Sequence, residues 1–284
     1  MSAPPLFRLA DERRVTVVRD AAMVRKVLDE DPVGTCMVAS RVADCGIEPG
    51  AIGGELWTRS RASDSLCYAG PNLVPLRGDA DDLNAFADKA TSTARRCSSL
   101  VGRAELVMPM WRRLESAWGP ARDVREHQPL MALDHMPQCE VDSAVRPVRM
   151  DELDAYLVAA VDMFIGEVGV DPRLGDGGRG YRRRVAGLFG AGRACARFER
   201  GQVVFKAEVG SQSPAVGQIQ GVWVHPEKRG RGLGVGGTAT LASAVVRSGR
   251  IASLYVNGFN TVARATYARI GFTQVGTFAT VLLD

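Results

Sequence analysis

The 284-residue sequence is poor in the residues that build metal centres and membrane spans. It has three histidines, at 127, 135 and 225, and six cysteines, none of them in a C-x-x-C pair. Such spacing excludes the usual zinc patterns and points to reduced thiols rather than a disulfide framework. No run approaches the ~20 apolar residues of a membrane helix. The first residues, MSAPPLFRLADERR, lack a basic start followed by an apolar core, so no signal peptide is read there. These absences describe a cytoplasmic protein with no membrane partner. Acidic residues are missing from one long stretch: Lys228 to Leu283 holds no Asp or Glu, against seven Lys and Arg. One-signed charge of this kind suits an anionic ligand. The basic tail lacks interleaved aromatics and an evident recognition helix, so a nucleic-acid partner is not expected.

What is present is apolar material for two cores, at 46% hydrophobic residues, and a length that favours two domains. The polar, proline-bearing stretch DHMPQCEVDSAVRPV (134–148) separates two patterned halves, and the boundary is placed at residues 138/139. The C-terminal half reads as a short strand RPVRM, a helix from about Asp151 and a second helix over Tyr181–Gly190. Two strands follow, joined by an Arg-Gly-Gln turn, and then a strand over Gly217–Val224. A glycine loop leads to a helix closed by Gly249, a strand, a helix closed by Gly271 and final strand material. The fold class is therefore α+β, a mixed and mostly antiparallel sheet with helices packed on it. The N-terminal half reads as α, β, β, α, β, α, a hint of a second copy of the same architecture.

The loop HPEKRGRGLGVGG (225–237) joins a strand to a helix and contains Gly230, Gly232, Gly234, Gly236 and Gly237. Unpaired N–H groups at a helix start, approached closely through glycine, cradle phosphate. A P-loop requires a lysine before the Thr that follows Gly237, and there is none. A dinucleotide fingerprint requires an acidic residue about 20 positions on, and the stretch to Leu283 has none.

Arg229, Gly232 and Gly234 instead fit the R/Q-x-x-G-x-G/A signature of the GNAT N-acetyltransferases. Asn260, Ala263, Tyr267, Gly271 and Phe272 fit that family's second signature, N-x-x-A-x-x-x-Y-x-x-x-G-F, one helix and one strand further on. Over residues 139–284 the sequence resembles a catalytic GNAT domain, and residues 1–138 resemble a degenerate GNAT-like copy. The resemblance implies acetyl-CoA as cosubstrate and acetyl transfer to a primary amine of a small molecule or protein. It implies that the backbone of Val222, Trp223 and Val224 pairs with the pantetheine arm. It places Arg229, Gly230, Arg231, Gly232, Leu233, Gly234 and Val235 around the pyrophosphate, and Asn260 on the cofactor. Tyr267 becomes the donor of a proton to the leaving thiolate, and the Val224 N–H the donor to the oxyanion.

The sequence departs from the family where a glutamate is common on the strand before the loop. Here Gln218 and Gln220 occupy that strand. Glutamine takes no proton, which leaves Glu167 and Glu208 as candidate bases, Glu167 being the one chosen. His225 reads as part of a turn. The alternative to an enzyme is a catalytically weak acetyl-CoA-binding regulatory module. The amine acceptor is set by the loop around 166–180, whose Asp and Glu residues could greet a cation. The sequence leaves open whether the N-terminal half shapes the acceptor cleft, mediates a homodimer or supports the fold.

Overall fold

A computed structural model describes residues 14–284. The chain forms two compact units: the chain up to Leu130 together with Gln274–Asp284, and Met131–Thr273. The C-terminal strand thus belongs to the N-terminal unit, whereas the reading of the sequence kept it with residues 139–284.

The first unit begins with β1 (Thr16–Val17), α1 (Ala21–Glu30), α2 (Cys36–Cys45) and the single turn α3 (Pro49–Ile52). Then come β2 (Glu55–Thr58), β3 (Leu66–Ala69), β4 (Leu73–Arg77), α4 (Ala80–Thr91), β5 (Ser99–Arg103), α5 (Ala104–Trp118) and β6 (Asp123–Leu133). The second unit runs β7 (Arg146–Pro147), α6 (Leu153–Val168), α7 (Arg179–Gly190), β8 (Ala194–Glu199), β9 (Gln202–Gln212) and β10 (Val216–Val224). It continues with α8 (Leu233–Arg247), β11 (Ile251–Tyr255) and α9 (Thr261–Ile270), and the last strand is β12 (Thr273–Leu282). Within the first unit the strand order is β1-β2-β3-β4-β5-β12, and within the second it is β11-β10-β9-β8-β7. Most of the pairings are antiparallel; β4 with β5 and β10 with β11 are parallel.

Local chemistry accounts for these boundaries. Asp20 starts α1 by accepting from the Met23 N–H. Asp79 and Asp82 close a reciprocal capping box at the start of α4. Arg200 and Gly201 both take positive φ, 51° and 78°, which makes a two-residue hairpin turn between β8 and β9. Asp151, where the sequence reading begins the helix, lies before α6 and does not cap it. A 3-10 turn over Met150–Glu152 precedes that helix, Asp151 pairs with Arg149, and Glu152 accepts from the Arg149 N–H.

The core of the first unit joins α4 and α5 to the sheet through Phe86, Met110, Trp111 and Leu114, with Ala279, Val281 and Leu283 contributed by the C-terminal segment. The second unit has two cores. Phe205, Ala207, Leu241, Leu254, Tyr267 and Ile270 pack under α8 and α9. Tyr156, Val185, Phe189 and Trp223 pack under α6 and α7.

Candidate functional site

The second unit carries every residue singled out for chemistry. β10 pairs in parallel with β11 through Val216, Gly217 and Gln218 only, opposite Ile251–Ser253. Among the described residues, β10 keeps only β9 as a strand neighbour from Ile219 to Val224, so its other edge offers backbone donors and acceptors. Val222, Trp223 and Val224 lie on that edge. Trp223 is buried in the α6/α7 core, its ring edge-on to His225 at 5.8 Å, so its side chain is a packing group.

β10 and β9 are interrupted by two bulges. Between the pairs Gln218↔Ser211 and Ile219↔Val209, Gly210 is the extra residue on β9. Between Gln220↔Glu208 and Trp223↔Lys206, Gly221 and Val222 face one residue of β9. Gly221 has φ 61°, the left-handed geometry that a glycine takes without strain.

Beyond β10 the loop turns through Pro226–Lys228 and rises into α8. Gly230 and Gly232 have φ 73° and 81°, and a side chain added at either meets nothing within 4 Å. Gly232 is the N-cap of α8 and supplies no side-chain cap. The N–H groups of the first turn, Leu233, Gly234 and Val235, are thus left to an outside acceptor. Arg229 Nε donates to the Val224 carbonyl at 3.3 Å. Arg231 has no hydrogen-bond or ion-pair partner among the described residues. Lys228 is tied back to Glu199 at 2.7 Å; Glu199 also pairs with Arg197, and Arg197 with Asp142. Asp142 in turn holds the second turn of α8, donating its N–H to the Gly236 carbonyl at 3.1 Å. The loop is fixed at its base and open at its tip.

The corresponding turn of the first unit differs. There β4 leads into α4 through the Asp79/Asp82 box, which supplies that helix start with its own carboxylates. The Asp79 carboxyl sits below its usual range, mainly because it accepts from the Asp82 N–H. A helix start already served by an acid is no anion cradle.

Asn260 caps α9, its side chain accepting from the Ala263 N–H at 3.1 Å. Arg264, on the same helix, donates to the Gly258 carbonyl. Tyr267 is buried, 6.2 Å ring to ring from Phe272. Its hydroxyl titrates well above the ordinary value, first because burial penalises the phenolate and second because Glu167 is negative nearby. Glu167 is exposed at the end of α6, and its charge also reaches Tyr181. The Tyr181 hydroxyl, pushed up to about 12, owes its shift to burial first and Glu208 next, with Arg184 opposing.

The two aspartates of the 166–180 loop, Asp171 and Asp176, are engaged within it. Asp171 is held by Arg173 and lies near 2 for that reason. Asp176 accepts from the Gly178 and Gly180 N–H groups.

Lys206 escaped the sequence reading. It is fully buried, donates to Glu208 Oε1 at 3.1 Å and lies 5.2 Å from the Tyr156 ring centroid. The signal was present in VVFKAEV, an apolar strand whose period of two puts Lys206 and Glu208 on one face. His225, read as a turn residue, keeps Nδ1 buried without a partner among the described residues.

A family model described as FR47-like protein matches residues 206–281, and one described as a domain of unknown function (DUF4081) matches residues 54–156. A Drosophila protein of known structure superposes with TM-score 0.66 at 14% identity, covering 95% of this chain and 98% of that one. A GNAT-family acetyltransferase from Colwellia psychrerythraea superposes at 0.57 and 10% identity, covering 95% and 100%. The fold is that of the GNAT acetyltransferases. A GCN5-related N-acetyltransferase from Kribbella flavida superposes at 0.53 and 14% identity, over 87% of this chain and 96% of that one. The GNAT fold therefore spans most of the chain. A search of curated proteins found no match. Among the described residues no cluster of His, Cys, Asp and Glu could hold a metal, and no helix is long and apolar enough to cross a membrane.

Proposed function

We propose that the unit Met131–Thr273 binds acetyl-CoA and transfers its acetyl group to a primary amine. The observation that carries this reading is the departure of β10 from β11 after Gln218, directly ahead of a helix that begins on Gly232 without a side-chain cap. The free edge of β10 at Val222–Val224 suits an amide-bearing arm. The first-turn amides of α8, with Arg229 and Arg231, suit a pyrophosphate. Gly230 and Gly232 keep that approach clear.

Acetyl-CoA supplies an activated acyl carbonyl. The Val224 N–H is the donor for the negative charge that develops on its oxygen. Tyr267, whose burial lifts its hydroxyl further above the ordinary tyrosine value, gives its proton to the sulfur as the carbon–sulfur bond breaks and the amide is left. Asn260 holds the start of α9 and so sets where Tyr267 stands. Glu167 presents a negative charge on the acceptor side, which favours an amine arriving as its cation. Apart from the extra single turn α3 in the first half, both halves repeat the order β-α-α, three strands, α-β-α-β, which supports a tandem GNAT layout, with the first copy degenerate at its Asp79/Asp82 cap.

Calorimetric titration with acetyl-CoA tests the reading, beside the double variant Gly232→Glu/Gly234→Glu. Micromolar binding by the wild type (about −8 kcal/mol) that the variant loses is the expected result. A folded wild type that binds no acetyl-CoA overturns it.

A further inference from the structure

β9 carries a lysine and a glutamate on one face of an otherwise apolar strand, and both are out of water. Lys206 has no exposed surface and Glu208 is 5% exposed. Desolvating two ions costs about as much as their attraction returns, so a buried pair is weak evidence for stability. Its location identifies a different use.

Glu208 stands directly across from Gln220 in the β9–β10 register. The strand that lacks a carboxylate therefore has one beside it, on the same face. Gly210 has no side chain, and the Gln220 amide fills the place where a Cβ at 210 would stand, 2.0 Å from Gln220 Cδ. Gln220 thus packs over Gly210. Gly221 completes the arrangement: a Cβ there would lie 2.7 Å from Glu208 Oε1 and 3.0 Å from Lys206 Nζ. The ion pair lies against the bulge, where β10 turns its backbone into the free edge.

The Tyr156 hydroxyl, from α6, is buried and has no hydrogen-bond partner among the described residues. Glu208 raises its titration, after the larger effect of burial, so the carboxylate lies within electrostatic reach of that oxygen. The charged and titratable groups that Glu208 meets are Lys206 on its own strand, Tyr156 from α6 and Tyr181 from α7; Arg184 acts on both tyrosines, Glu167 on Tyr181 and Cys195 on Tyr156. Lys206 holds Oε1, and among the described residues Oε2 has no hydrogen-bond partner.

We propose that Glu208 takes the proton from the acceptor ammonium, one strand over from Gln220, and that Lys206 is the positioning residue that holds its carboxylate against the Gly221 bulge. This rests on the acetyltransferase reading. In the step, an N–H bond of the ammonium breaks and its proton passes to Glu208 Oε2, directly or through one water. The nitrogen keeps the electron pair needed for attack, and the carboxylate becomes a neutral acid. The counter-charge beside this buried carboxylate is Lys206 Nζ, 3.1 Å from Oε1.

Two measurements test the assignment. Thiol release from acetyl-CoA is followed with a lysine-containing peptide, spermidine, glucosamine and glycinamide as acceptors. Glu208→Gln is expected to lower kcat at least about 100-fold for amines that are cationic at the assay pH, with acetyl-CoA Kd by calorimetry within about twofold of wild type. Its loss should shrink for glycinamide at a pH where that amine is already neutral, which a merely structural defect would not do. The second measurement is a 13C NMR titration of the glutamate carboxyls without ligand, with Glu208 assigned by its absence from Glu208→Gln. Lys206→Met is expected to move that titration upward by about one pH unit or more, and Lys206→Arg to restore it. A Glu208→Gln enzyme that keeps pace with an active wild type overturns this assignment alone. So does a Glu208 titration that Lys206→Met leaves in place. A wild type that binds no acetyl-CoA or acetylates none of the amines overturns the assignment together with the reading beneath it.

Discussion

Tyr267 and Glu152 show how one environment raises a pKa and another lowers it. Burial is the larger cause of the upward shift at Tyr267, with Glu167 adding to it. The phenol therefore stays protonated through neutral and mildly alkaline pH. Tyr267→Phe is expected to lower kcat by about 100-fold with acetyl-CoA binding unchanged. The wild-type pH–rate profile should show no fall from tyrosine ionisation below about pH 10, and single-turnover kinetics across pH check both. Glu152, just before α6, is pulled down to about 2, chiefly by the Arg146 guanidinium, against the opposing effect of burial. Its folded value lies below its unfolded value. The contribution is therefore complete above about 4.3, the ordinary glutamate value, and is lost as pH falls from there towards about 2. Arg146→Met should remove about 1 kcal/mol at pH 6, discounted for the half-exposed arginine, and flatten the acid dependence. Thermal melts from pH 2.5 to 6 measure it.

At the scale of elements, the two helices that follow parallel strands' first members differ at their starts. α4 begins on Asp79, whose side chain serves its amides, and α8 begins on Gly232, which leaves them open. Further along α8, Gly237 lets the helix touch β9, since a Cβ there would sit 2.5 Å from the Phe205 ring. Gly237→Ala should destabilise the chain by about 1–3 kcal/mol, read from the midpoint of urea unfolding. The α8 and α9 starts were legible because glycine spacing and Asn260 are local signals. The helices over Leu153–Val168 and Arg179–Gly190 were legible from their period. β6 was not: Pro129 and the charged run Asp123–His127 hide a strand whose apolar half begins only at Leu130. α2 went unread, and the segment Leu66–Arg77 read as one strand of a pair but holds two, turning at Gly70–Asn72. The Lys206–Glu208 pair was hidden for another reason. Each residue looks like a surface charge until the bulges at Gly210 and Gly221 fix which face of β9 is covered.

For the whole molecule, the arrangement of last strands decides what depends on what. β12 follows α9 in the chain, yet it pairs with β5 in the first unit. β12 lies antiparallel to β5 from Phe278↔Arg103 to Leu282↔Ser99, and Ala279, Val281 and Leu283 are part of the first unit's core. None of the residues after Thr273 belongs to either core of the second unit. A chain ended after Thr273 therefore exposes an edge of β5 and removes three buried side chains from under α4 and α5, at about 1.5–3 kcal/mol for each large aliphatic residue. That is a large share of the stability of an ordinary domain. Hydrogen exchange read by mass spectrometry should show protection lost over residues 66–114 and kept over residues 203–256. Uniform loss across both ranges would instead mean that the two units unfold as one.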